Sequence, residues 1–514
     1  MSRTERFVRG ASLGYVHLVV VTLVGLWLTP FLLDQLGSHD YGLWLVGLQI
    51  VAYLQLVDLG VVALLPREVA YATGRGLRGE TRTGLGALVR RTERLARWQA
   101  LGLAGIALVV WTALPADWTG LRWPLAAVLL GLVLIFPFRV LPALLQGLQD
   151  LAFLGRLQLA AWAAGTVAMV GLVLAGARLH ALVAGWLTTQ IVTVAACALR
   201  VRVRHPSLRA EEGQGPSLTT TAYLGRSMWV SVSQVAQTLL GATDVLVIGA
   251  VAGPAAVVPY ACTAKLVQVL ANHPQLLMQA AAPALSEMRV AESKGRLLAT
   301  TSALTRAVLI LSGGVACVVI AINRPFVGWW VGPSQYGGAL LTGALAAALL
   351  LRHLNTTTVY ALFCFGHERR LSLTALADGG VMVAGSLLLV PLAGPIGVVF
   401  ASIAGVAAVS LPCNLRAFGR ETGVGALEFL RTLTGWFGRF LVALAGAAAL
   451  SWVPVAPRFW HVTAAAAAAA AWYGLVMWPA AMDGPLGVYL RSAAAALRTG
   501  AHRQPAPAAP ANHV

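Results

Sequence analysis

Apolar residues in this chain arrive in unbroken runs of about 17–25 positions, separated by short polar and basic segments. A run of that length, carried as a helix rising about 1.5 Å per residue, matches the hydrocarbon thickness of a bilayer. Fourteen such runs can be read, near residues 11–33, 41–65, 98–115, 124–147, 156–176, 180–199, 227–250, 256–282, 304–322, 338–364, 371–391, 395–415, 437–453 and 460–481. The runs are continuous and do not alternate between apolar and polar. Backbone groups in lipid need internal partners, so helices are predicted and a β-barrel is not.

The cations test this reading. If both termini lie on the cytoplasmic side, 30 of the 37 lysine and arginine residues fall in inner segments. Only Arg122, Arg178, Arg324 and Arg458 fall in outer loops. Such a bias is the positive-inside rule at work. Composition agrees: 58% of residues are hydrophobic and only 11% charged, where a soluble domain carries roughly a quarter charged residues. The net charge of +18 therefore records topology and contact with anionic inner-leaflet lipid. The arginines are scattered over many loops and not gathered on one face, so no nucleic-acid partner is expected. The five cysteines all fall within predicted spans, at spacings that suggest neither a metal site nor a disulfide framework.

No soluble domain is predicted. The linker near 201–226 contains Pro206, Glu211, Glu212, Gly213, Gly215 and Pro216 and divides the first six spans from the next six. The halves are weakly repeated. A turn at Gly37 is followed 29 positions later by Pro66 and then Glu68, and a turn at Gly253 is followed 30 positions later by Pro283 and then Glu287. Two copies of a six-helix unit suggest a pseudo-symmetric transporter. The expected layout is an all-α polytopic membrane protein. Six-helix bundles occupy 1–200 and 227–420, an additional helix pair 421–482, and a cytoplasmic tail 483–514. That tail is expected to open with a short interfacial helix.

The stretch Leu36-Gly37 through Tyr41-Gly42-Leu43-Trp44, with Tyr53, Leu56 and Asp58-Leu59-Gly60, resembles the start of polysaccharide transport proteins. These are the O-antigen-type lipid-linked oligosaccharide flippases of the multidrug/oligosaccharidyl-lipid/polysaccharide exporter superfamily. Asp244 to Gly249, Pro283 to Glu287, Trp329 to Gly332 with Tyr336, and Gly397 to Ala401 are similar in order. The resemblance spans about residues 5–420. It implies a V-shaped pair of bundles that alternate access, and a cargo of oligosaccharide on a polyprenyl pyrophosphate carrier. The start of the lipid II flippases is not closely matched.

Three cations lie inside predicted spans: Arg139 between Pro137 and Pro142, Lys265, and Arg352 beside His353 and ahead of Asn355. A cation at mid-membrane costs about 2.5–3.5 kcal/mol on the insertion scale, so each needs water, an anion or a carboxylate. Either they line a cavity that neutralises the cargo pyrophosphate, or they pair with Asp58, Asp244 or Asp378. Those carboxylates are the candidates for ion coupling or gating, with Asp58 also a candidate helix cap. Gln234, Asn272 and His273 supply neutral hydrogen-bonding groups for sugar, although helix packing uses such groups equally.

The sequence thus points to a flippase in the inner (plasma) membrane whose partners are the lipid-linked glycan, membrane lipids, and a glycan polymerase or glycosyltransferases of the same pathway. A drug or organic-cation exporter is the alternative within the superfamily, disfavoured because a cationic lumen repels such cargo. A membrane glycan polymerase or ligase is the enzymatic alternative, disfavoured by short outer loops without paired carboxylates. No Gly-Lys-Ser/Thr phosphate loop is present, and no cofactor is expected.

Overall fold

The apolar runs form helices because a spanning segment in lipid must satisfy its own backbone, and a helix does so residue by residue. The computed structural model describes residues 3–76, 85–206, 220–272 and 293–482, with scattered positions from 274 to 287 and Gly487. Among these residues every regular element is helical. Twelve helices are long and apolar enough to cross a membrane, and Pro254–Leu270 is apolar but shorter. The protein is an all-α, multi-pass membrane protein. The interfacial helix expected in the tail and residues 207–219 of the linker lie outside the described residues.

The helices are α1 (Arg3–Leu54), α2 (Val61–Gly76), α3 (Leu85–Thr112), α4 (Thr119–Ile135), α5 (Val140–Gly147), α6 (Leu151–Leu174), α7 (Leu179–Arg204), α8 (Thr220–Val251) and α9 (Pro254–Leu270). They continue with α10 (Lys294–Trp330), α11 (Ala339–Cys364), α12 (Glu368–Ala393), α13 (Ile396–Gly405), α14 (Leu411–Thr422), α15 (Ala426–Arg431), α16 (Thr434–Trp452) and α17 (Phe459–Met482).

The structure departs from the sequence reading where spans bend. The first two expected spans are carried by one kinked helix, α1, which passes through Gly37 at φ 78° and ψ 166°. Only glycine adopts that conformation without strain, so the expected turn becomes a kink. The second expected span breaks at a 3₁₀ turn, Gln55–Asp58, followed by Leu59 and Gly60 at φ 46° and 69°. The fourth breaks at the 3₁₀ turn Phe136–Arg139, where Pro137 withholds a donor. The twelfth carries a π-helical turn, Val406–Ser410, ahead of Pro412.

Two compact units emerge. The first comprises Met1–Thr263, Trp330–Gly337 and Ser372–Gly405, and the second Ala264–Trp329, Gly338–Leu371 and Val406–Val514. In the first, Val62, Leu65 and Val69 of α2 pack with Val89 and Ala96 of α3, Leu144 of α5, and Ala161 and Cys197 of α6 and α7. α6 and α7 approach through Gly165 and Gly185, where a Cβ on Gly185 would stand 2.7 Å from the Gly165 carbonyl. Small residues of this kind let membrane helices close on one another without a hydrophobic drive. In the second unit, Trp436 and Phe440 of α16 stack at 5.1 Å, and Tyr473 of α17 donates its hydroxyl to the Ile310 carbonyl at 2.5 Å. The C-terminal helix pair is thereby fastened to α10. Large apolar side chains such as Val167, Leu340 and Leu392 stand exposed, as lipid-facing surfaces require.

At the surface of the first unit Arg178 meets Asp40 at 2.8 Å, with 68% of the arginine side chain exposed. Substituting Arg178→Ala is expected to lower stability by under about 1 kcal/mol. A larger fall in apparent melting temperature than the conservative Arg178→Lys produces would contradict this.

Candidate functional site

The first unit gathers Asp58 and Arg139. Asp58 ends the 3₁₀ turn after α1 and is 1% exposed. Its Oδ1 accepts the Val62 N–H at 3.0 Å, which caps the start of α2. Its carbonyl accepts Nε2 of Gln99 at 2.8 Å, so α3 is fastened to the same break. The left-handed pair Leu59-Gly60 turns the chain here. A Cβ on Gly60 would stand 2.6 Å from the Ser227 carbonyl of α8, so the motif glycine is required by both conformation and contact. Arg139 ends the second 3₁₀ turn, its guanidinium 5.2 Å from the Phe136 ring centroid. Asp58 and Arg139 are electrostatic neighbours, and both 3₁₀ turns pack on α3.

The other carboxylates are held separately. Tyr260 of α9 donates its hydroxyl to Oδ2 of Asp244 at 2.5 Å. One residue earlier the Thr243 hydroxyl lies 2.5 Å from that of Tyr53, so α8 is tied to α1 and α9 at adjacent positions. Asp378 is 1% exposed on α12. Gly405 of α13 lies against its carboxylate, and a Cβ there would collide with Oδ1. Gln234 is half-buried on α8.

The second unit holds Lys265, Arg352, His353, Asn355 and Asn272. Lys265 and Arg352 are half-buried and Asn272 is exposed. His273 lies outside the described residues. His353 is buried, with Nδ1 2.6 Å from the Ser312 hydroxyl of α10. The same hydroxyl lies 2.7 Å from the Val308 carbonyl, to which it can donate. Asn355 accepts the Asn414 amide at 2.9 Å. Asn414 in turn accepts Nη1 of Arg370 at 3.4 Å, and Arg370 Nη2 donates to the Cys413 carbonyl. A polar seam therefore joins α11, α12 and α14. Asn414→Leu leaves the half-buried side-chain carbonyl of Asn355 without its donor, and a loss of about 1 kcal/mol is expected. An unchanged melting temperature in detergent would rule out the seam as a stabilising element.

Sequence reasoning missed Gln99, Tyr260, Ser312, Arg370 and Asn414. Asn414 could have been found, since it interrupts the apolar run near 395–415. Gln99 follows a basic stretch and reads as part of the helix end. Among the described residues no cluster of three or more His, Cys, Asp or Glu side chains is arranged to hold a metal ion.

The family described as "Polysaccharide biosynthesis protein" matches residues 121–336. Among solved structures, the chain superposes on "Lipid II flippase MurJ, inward closed conformation" with a TM-score of 0.60. The two are 9% identical over 92% of this chain and 100% of that one. A Vibrio cholerae MATE transporter aligns at a TM-score of 0.42 and 14% identity, over 84% of this chain and 98% of that one. That likeness is too loose to bear on the fold. No curated protein matches the sequence. The chain thus has the fold of that flippase, and its residues 121–336 match the polysaccharide-biosynthesis family.

Proposed function

We propose that the protein is a flippase moving oligosaccharide on a polyprenyl pyrophosphate carrier from the inner to the outer leaflet of the cytoplasmic membrane. It works by alternating access and makes or breaks no covalent bond. The observation that carries this reading is the presence of Lys265 and Arg352 within the helices of a chain with this fold and a polysaccharide-biosynthesis match. Cations held at that depth suit an anionic headgroup, arginine by its forked donors and lysine as a point charge. Arg139, beside Asp58, joins Lys265 and Arg352 as a proposed pyrophosphate-side cation. His353, Asn355, Gln234, Asn272 and His273 are the proposed sugar-side groups, and Asp244 and Asp378 the proposed gating carboxylates. A solved protein of the same fold is titled a lipid II flippase, which supports lipid transport over an enzymatic role. Both termini are assigned to the cytoplasm by the distribution of cations, and the proteins that build or polymerise the glycan are the expected partners.

The test is reconstitution with a labelled polyprenyl-pyrophosphate glycan and a leaflet-resolved accessibility assay. Wild-type protein is expected to move label between leaflets, and the Lys265→Gln, Arg352→Gln double substitution to fall to the level of empty liposomes while remaining folded. Undiminished translocation by that double variant would refute the assignment.

A further inference from the structure

Among the buried side-chain atoms of the first unit with no hydrogen-bond partner among the described residues are Asp58 Oδ2, Gln99 Oε1 and Arg139 Nη1. They belong to residues already gathered in one place. Gln99 Nε2 donates to the Asp58 carbonyl at 2.8 Å, Asp58 and Arg139 are electrostatic neighbours, and the turns that carry them both pack on the helix that carries Gln99. Stranded polar atoms are costly anywhere in a protein interior and more so in a membrane helix bundle. Three on neighbouring elements call for one occupant.

The complement of atoms selects that occupant. Two are acceptors, a carboxylate oxygen and an amide oxygen, and one is a guanidinium N–H donor. A metal cation would satisfy both acceptors, but it would face the guanidinium and leave that donor unanswered. A phosphate or other anion would answer the donor and be repelled by the carboxylate. A neutral hydroxyl-bearing molecule small enough for an interior site accepts one hydrogen bond and donates two. The geometry points to a structural water held by Asp58, Gln99 and Arg139, bridging the carboxylate and the guanidinium. Internal waters with about three protein partners are a regular part of folded structures. Here the water ties the helix break after α1 and the break after α4 to α3, and it keeps both charges hydrated within the bundle. The proposal is independent of which cargo the protein carries.

The site can be read by X-ray hydroxyl-radical footprinting, because radiolysis of a bound water oxidises the side chain beside it even when that side chain is buried. Phe136, whose ring faces Arg139, is 0% exposed, and Phe418 of the second unit is 1% exposed. The two are equally inaccessible from outside, so Phe418 is the internal control. Purified wild-type protein is expected to show oxidation of Phe136 several-fold faster than of Phe418. Gln99→Leu removes one acceptor without removing a charge, and it should bring the Phe136 rate down toward that of Phe418 while the Phe418 rate stays the same. Equal, slow oxidation of both rings in wild type would overturn the proposal, because the site would then be dry. So would a Phe136 rate that Gln99→Leu leaves unchanged. A third arm compares melting in sodium and choline chloride. Stabilisation by sodium that Asp58→Asn abolishes would identify a cation as occupant and refute the water. Equal melting in both salts is the expected result.

Discussion

Asp58→Ala should destabilise the folded protein by about 1–3 kcal/mol, because the half-buried Arg139 guanidinium loses its neighbouring counter-charge. Asp58 is 1% exposed, and Arg139 is its electrostatic neighbour. The substitution also removes the acceptor that Oδ1 offers to the Val62 N–H at 3.0 Å, and loss of a cap adds about 0.5–2 kcal/mol. Three further variants separate these effects. Asp58→Asn keeps a side-chain oxygen for the cap and loses only the charge, so its deficit measures the electrostatic part. Asp58→Leu combined with Arg139→Met removes both charges, and it should be more stable than Asp58→Leu alone, since a buried pair is costly to break and far less costly to replace. The measurement is chemical or thermal denaturation in detergent across the four proteins. If the double variant is no better than Asp58→Leu, the two residues do not act as a pair.

Gly60→Ala is the second large effect expected, at about 2–4 kcal/mol. One part is conformational: Gly60 sits at φ 69°, in the left-handed region that costs other L-residues about 1–2 kcal/mol. The other part is steric. The new methyl would lie 2.6 Å from the Ser227 carbonyl and 3.0 Å from Val230 Cβ. A backbone oxygen in a packed helix cannot rotate away, so α8 must move, and overpacking of this kind costs about 1–3 kcal/mol. Gly423 is the control. Its φ of 78° and ψ of 9° place it in the left-handed region too, but nothing lies within 4 Å of a Cβ built there. Gly423→Ala should therefore lose only the conformational part and melt above Gly60→Ala. Equal losses for the two would show that contact with α8 contributes nothing.

Much of the helical architecture is legible in the residue order. The apolar runs near 156–176, 180–199, 338–364 and 437–453 each became one helix, with ends within a few residues of those expected. The bends were less legible. Pro137 and Pro142 advertised a loosened helix around Arg139, and a 3₁₀ turn stands there. The break at Asp58 was foreshadowed only by the Asp-Leu-Gly motif, and the π-helical turn at Val406–Ser410 had no signal beyond Pro412. A proline announces its missing donor wherever it occurs, whereas a π turn depends on how neighbouring helices accept the extra residue.

The same division runs through the candidate site. Charge inside an apolar run is visible at once, so Arg139, Lys265, Arg352, Asp58 and Asp378 could be named without coordinates. Their companions could not. Gln99 reaches Asp58 across 41 positions and Asn414 reaches Asn355 across 59, and neither residue type is unusual near a helix end. The sequence by itself determined a multi-pass helical bundle with ionisable groups embedded in its spans. Run length and the cost of desolvating a charge are properties of a segment taken alone. Only the tertiary structure decided that Arg139 stands beside Asp58, that Gln99 joins them, and that His353 meets Ser312. Those choices turn on the rotation of each helix about its axis and on which faces pack together, and no single segment contains that information.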